Sequence, residues 1–124
     1  MMDSKPPIDP KALQSIRDLD DGVGEVFREI VELFLRDAPS KIVRMRHAVD
    51  KSDPGEVAQG AHSLKGSAGN FGAHRLVELC AEMERLGRDA VIVNAADLLR
   101  EIEAELERVC RACREEIMSE VPPQ

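Results

Sequence analysis

Apolar side chains recur at intervals of three and four along most of the 124-residue chain, and no credible strand interrupts them. This period constrains the fold more than any other feature. A stripe that repeats every 3.6 residues is buried by packing helix against helix. A parallel α/β sheet is therefore excluded. Asp9-Pro10 opens a short helix that ends near Asp20-Asp21-Gly22, with Leu13 and Ile16 as its apolar side. A long amphipathic segment covers about 23–51, and Pro39 is where it kinks or divides. Asp53 caps the next helix, Pro54 takes its first position and Glu56 completes a capping box. That helix runs to about Gly69, and Asn70-Phe71-Gly72 breaks the chain. A fourth helix spans about 73–87, where Gly87 is expected to end it in a left-handed turn, and a fifth spans about 91–118.

Four substantial helices joined by short turns pack as antiparallel neighbours. The expected fold is all-α: an antiparallel up-down four-helix bundle over 9–118 with a short extra N-terminal helix. Residues 1–8 and 119–124 read as flexible tails. The length suits one domain that needs no disulfide or metal to fold.

Seventeen Lys and Arg against 24 Asp and Glu give a net charge of −7. An acidic chain is repelled by phosphate backbones and anionic lipid, so neither nucleic acid nor a membrane is expected as a partner. No apolar run approaches the roughly 20 residues of a spanning helix, and the N-terminus lacks a signal-peptide pattern. Three cysteines read as reduced thiols of a cytoplasmic protein. Cys80 and the Cys110/Cys113 pair, which lies mid-helix without a second pair to complete a zinc site, read as core thiols. Inward Glu-x-x-His pairs of a metal-binding bundle do not occur.

The third helix departs from a plain bundle helix. Projected at about 100° per residue, Val57, Ala61, Leu64 and Ala68 fall within about 60° of one another as a core stripe. His62 falls near 140°, Gly66 near 180°, Gln59 near 200°, Gly69 near 120° and Lys65 near 80°, all about the outward side. Gly60, Gly66 and Gly69 stand within ten residues, although glycine inside a helix costs about 1 kcal/mol against alanine. Gly66, four residues after His62, leaves the imidazole open to a large partner. Lys65 places a cation beside the ring that can hold an anion such as a phosphoryl group. An exposed neutral imidazole is a good nucleophile near pH 7. His47 and His74 read as solvated, and Lys41, Arg44 and Arg46 as a solvated helix face.

The run Ala61-His62-Ser63-Leu64-Lys65-Gly66-Ser67-Ala68-Gly69-Asn70-Phe71-Gly72-Ala73 resembles the signature of histidine-containing phosphotransfer (HPt) domains of two-component phosphorelays. Phe34 to Ala38 before it resembles the family as well, as do Leu79-Cys80, Met83-Glu84 and Gly87 after it, so the resemblance covers about 9–110. It implies a phosphocarrier. His62 would accept a phosphoryl group from a receiver-domain aspartyl phosphate, or from a sensor or hybrid histidine kinase, and pass it to another receiver aspartate. Lys65 would orient the phosphoryl group, and Gly66 would admit the receiver. The family domain is not a kinase, has no ATP site and holds no cofactor, Mg²⁺ belonging to the receiver.

Several members carry Gln 22 residues after the histidine, where this chain has Glu84. Glu84 could accept the Nδ1–H of His62 and leave Nε2 free, yet it would also favour imidazolium. In the family an apolar patch docks the receiver. Here Leu13, Ile16, Val23 and Phe27 are its candidates, with Gln59 and Gly69 beside it, against ordinary core burial for the four apolar residues. The lead reading is a freestanding, monomeric carrier. An excised domain of a hybrid kinase and a non-phosphorylated helical adaptor that binds a receiver are the alternatives.

Overall fold

The computed structural model describes residues 6–19 and 24–119. Within them the chain forms five helices and no strand: α1 (Pro10–Arg17), α2 (Glu25–Asp50), α3 (Pro54–Gly69), α4 (His74–Arg88) and α5 (Ala95–Ser119). Helices α2 to α5 form a ring in which α2 packs on α3, α3 on α4, α4 on α5 and α5 back on α2. The diagonal pairs do not meet. The connections are short, so chain neighbours run antiparallel. This is the expected bundle with its extra N-terminal helix. No helix among the described residues is long and apolar enough to cross a membrane.

The core follows the sequence stripes. Val57, Ala61, Leu64 and Ala68 of α3 are fully buried, as are Met45, Leu76, Met83, Ile102 and Val109 from the other helices. Phe34 and Phe71 meet with ring centroids 4.9 Å apart. Cys80, Cys110 and Cys113 are free, buried thiols. Burial pushes the Cys80 and Cys113 thiols up to about 12.

Helix α1 plugs one end of the bundle. The Asp9 N–H donates to the Phe71 carbonyl, 3.0 Å away, and the Asp9 side chain accepts from Lys11 N at 2.9 Å to cap α1. The α3–α4 turn approaches so closely that a Cβ on Gly72 would stand 2.4 Å from that of Asp9. Gly72 also has φ +62°, a conformation glycine adopts without strain. Arg17 pairs with Glu116 of α5 at 2.8 Å and lies over the Phe27 ring, 4.2 Å from its centroid.

Several sequence expectations change. Leu13, Ile16 and Phe27 are 3%, 7% and 0% exposed, so they are the floor of the α1 plug and not a surface patch. Their apolar surface is consumed where α1 seats on α2. Val23 lies outside the described residues, as do 20–22, where α1 was expected to end. Ile8, assigned to the loose tail, is buried against the same end. α2 continues unbroken through Pro39. α5 starts at Ala95, leaving Val91 and Val93 exposed in the connection before it.

Gly87 does not end α4 in a left-handed turn. It lies inside the helix, and the positive φ falls on Ala90. A Cβ on Gly87 would meet Ala58 N at 2.6 Å and Pro54 O at 2.7 Å. Gly87 is therefore where α4 touches the backbone of α3. Its missing side chain sets the distance between the two helices that build the site.

Candidate phosphoryl-transfer site

Local sequence fixes α3 first. Asp53 Oδ1 accepts from Glu56 N at 3.2 Å, Pro54 starts the helix, and the buried stripe turns the other face outward. His62 stands on that face with its side chain 68% exposed. Gln59, Gly66 and Gly69 are exposed beside it, and a Cβ on either glycine would meet nothing within 4 Å. Gly60 differs: its Cβ would stand 3.0 Å from Met45 Cγ, so it admits α2 and not a partner.

The antiparallel α4 supplies the second half. With Gly87 against Ala58, Glu84 lies one turn back and reaches His62. Its Oε2 is 3.0 Å from His62 Nδ1 and 2.6 Å from Arg88 Nη2, while its Oε1 accepts from Lys65 Nζ at 2.7 Å. Glu84 is only 4% exposed. A buried carboxylate is costly unless paired and hydrogen-bonded, and three donors on two oxygens meet that demand.

The hydrogen bond from the Lys65 ammonium is the main cause that holds the Glu84 carboxyl below its ordinary 4.5. Burial opposes this, and the His62 hydrogen bond and the Arg88 charge add to it. An ionised carboxylate can only accept, so Nδ1 must carry the ring proton. Nε2 is then the nitrogen with the free lone pair. A ring held at one nitrogen and bare at the other is an oriented nucleophile.

The arrangement joins His62, Lys65 and Glu84 as one cluster, with Lys65 on the carboxylate rather than on the ring. Arg88 was not singled out in the sequence. Its signal was available, because a Glu and an Arg four residues apart on one helix share a face. His74 is elsewhere: its Nε2 lies 3.2 Å from Asp9 Oδ2 beside α1. His47 is exposed in the last turn of α2. The basic trio divides. Lys41 donates to Ser67 Oγ at 2.8 Å, Arg44 lies 3.8 Å from Glu56, and Arg46 pairs with Glu103 on the far side of α2.

Beside the site, an open groove between α2 and α3 is lined by Ile30, Leu33, Lys41, Ser67 and Asn70, among others. Leu33 and Val26 are exposed on the same side of α2.

Known proteins resemble this chain in family and in fold. The Hpt domain family model matches residues 29–112, more than half of the chain. The chain is 34% identical over 68 residues to histidine-containing phosphotransfer protein 2 of Arabidopsis thaliana. That match takes in 52% of this chain and 44% of the relative, so it spans less than half of the relative's length. The crystal structure of histidine-containing phosphotransfer protein B (HptB) from Pseudomonas aeruginosa PAO1 has the same fold, with a TM-score of 0.87. That alignment covers 95% of this chain and all of that one at 24% identity. The chain belongs to the Hpt domain family.

Proposed function

We propose that this protein is a phosphocarrier of a two-component phosphorelay, with His62 Nε2 as the atom that bears the phosphoryl group. The observation that carries the reading is the exposed ring of His62, held through Nδ1 by a buried carboxylate. The Nε2 lone pair attacks the phosphorus of a receiver's aspartyl phosphate. The N–P bond forms, the P–O bond breaks, and its electron pair leaves on the receiver carboxylate. Nδ1 keeps its proton, and the positive charge that develops on the ring faces Glu84. The reverse attack, by the aspartate of another receiver, passes the group on.

Lys65 lies close enough to trade its bond to Glu84 for a phosphoryl oxygen as a mobile point charge. Gly66 and Gly69 leave the approach clear, and Gln59 lies along it. The receiver docks on the outward face of α3 and on the exposed apolar side of α2 at Leu33 and Val26. The chain acts as a carrier without kinase activity, and any Mg²⁺ sits on the receiver. The protein works in the cytoplasm, among receivers and a histidine kinase.

The test is transfer from acetyl-phosphate-charged receivers, read by intact mass. The expected result is a gain of one phosphoryl group, labile in acid, that is lost in His62→Gln while its helical circular dichroism is retained. A gain of the same size in His62→Gln would overturn the assignment.

A further inference from the structure

We propose that Arg88 is a positioning residue for phosphoryl transfer: it holds the oxygen of Glu84 that His62 uses, and so opposes conversion of the ring to imidazolium. The inference rests on the phosphocarrier reading of His62 and adds a residue to it. A carboxylate on Nδ1 brings a conflict with it. It orients the ring and stabilises the charge that develops during attack. It also favours protonation at Nε2 beforehand, and a ring protonated there has no lone pair to attack with.

In the unphosphorylated protein two cations paired with Glu84 offset that pull. Lys65 occupies Oε1 at 2.7 Å, and Arg88 occupies Oε2 at 2.6 Å. Arg88 and His62 share Oε2, at 2.6 and 3.0 Å, so their nitrogens stand no more than about 5.6 Å apart. A permanent guanidinium charge at that distance disfavours a second positive charge on the ring. The remaining ionisable neighbour is the Cys80 thiol, which feels both Glu84 and Lys65 and is neutral because its pKa is pushed up to about 12. Among the described residues no charged side chain of α1, α2 or α5 pairs with Glu84 or His62. The balance is set by Lys65, Glu84 and Arg88.

With 68% of its side chain exposed, Arg88 acts through solvent-screened charge. At 5.6 Å in water-like dielectric, one unit charge moves a neighbouring equilibrium by roughly half a pH unit, about threefold. The experiment follows the His62 ring by NMR across pH in the unphosphorylated protein, in wild type, Arg88→Gln, Arg88→Lys, Glu84→Gln and the Glu84→Gln/Arg88→Gln pair. Acceptance from a charged receiver is measured over the same range.

Arg88→Gln is expected to move the ring titration upward by about half a unit, and to move the acid limb of the acceptance profile with it. Arg88→Lys should restore most of the difference. With Glu84→Gln already present, the exposed guanidinium loses the carboxylate that holds it beside the ring, so Arg88→Gln should add little. An Arg88→Gln titration that overlays wild type would overturn the proposal, and so would a full shift that persists without Glu84. If the wild-type protein accepts no phosphoryl group, the carrier reading falls, and the ring titration still decides whether Arg88 acts on His62 through Glu84. A guanidinium that works only by touching the phosphoryl group would change acceptance at every pH and leave the free ring's titration alone, which also overturns the proposal.

Discussion

Gly66 and Gly87 are both helical glycines near the same site, and they do opposite work. Gly66 faces open space, whereas Gly87 faces the backbone of Pro54 and Ala58. One leaves room for another molecule. The other lets α4 come near enough to α3 for Glu84 to reach His62. A missing side chain is thus used once to expose a nucleophile and once to orient it. Gly60 falls between the two, against the flexible end of Met45.

The comparison breaks most visibly with a large side chain at the open position. Gly66→Arg should cut acceptance from a charged receiver by tenfold or more while the thermal midpoint stays near wild type, and an unchanged transfer rate would show that the open face is not used. Gly87→Ala should instead act on the fold. A Cβ 2.6 Å from backbone forces the helices apart, and overpacking of this kind costs about 1–3 kcal/mol. Thermal unfolding should fall by several degrees, and the wild-type midpoint would mean that α3 and α4 separate without cost.

Glu84 sharpens the contrast through pH. Its folded pKa lies below the ordinary 4.5, so its contribution to stability is present above that value and is lost as pH falls through the folded pKa. Urea unfolding at pH 6 and pH 3.5 should show a smaller acid loss in Glu84→Gln than in wild type; equal losses would mean the carboxylate is not held by its donors. The smallest effect is expected from Gly66→Ala. It fills empty space and gains up to about 1 kcal/mol of helix propensity, which chemical denaturation would detect as a higher midpoint.

Much of this was legible in the chain. The 3.6 period gave the helices, and the Asp53-Pro54 start and the Gly69 end of α3 fall where the structure has them. The outward placement of His62, Gly66 and Gly69 followed from the buried stripe opposite. Glu84 could be placed near the ring through the family resemblance, but not its partners. Arg88 went unremarked because its spacing of four from Glu84 is shared by ordinary surface ion pairs such as Arg85–Asp89, and only the burial of Glu84 sets it apart. The apolar residues of α1 looked the same whether they faced a receiver or α2.

The sequence by itself determined which residues form helices and which face each helix buries, because caps, turns and the apolar period act within a few residues along the chain. Only the tertiary structure decided that Gly60 and Gly87 are contact points while Gly66 is an opening, that Leu13, Ile16 and Phe27 are core, and that three donors converge on one buried carboxylate. Those outcomes depend on the distance and register between helices. Such distances are set by packing across the bundle, and no local pattern records them.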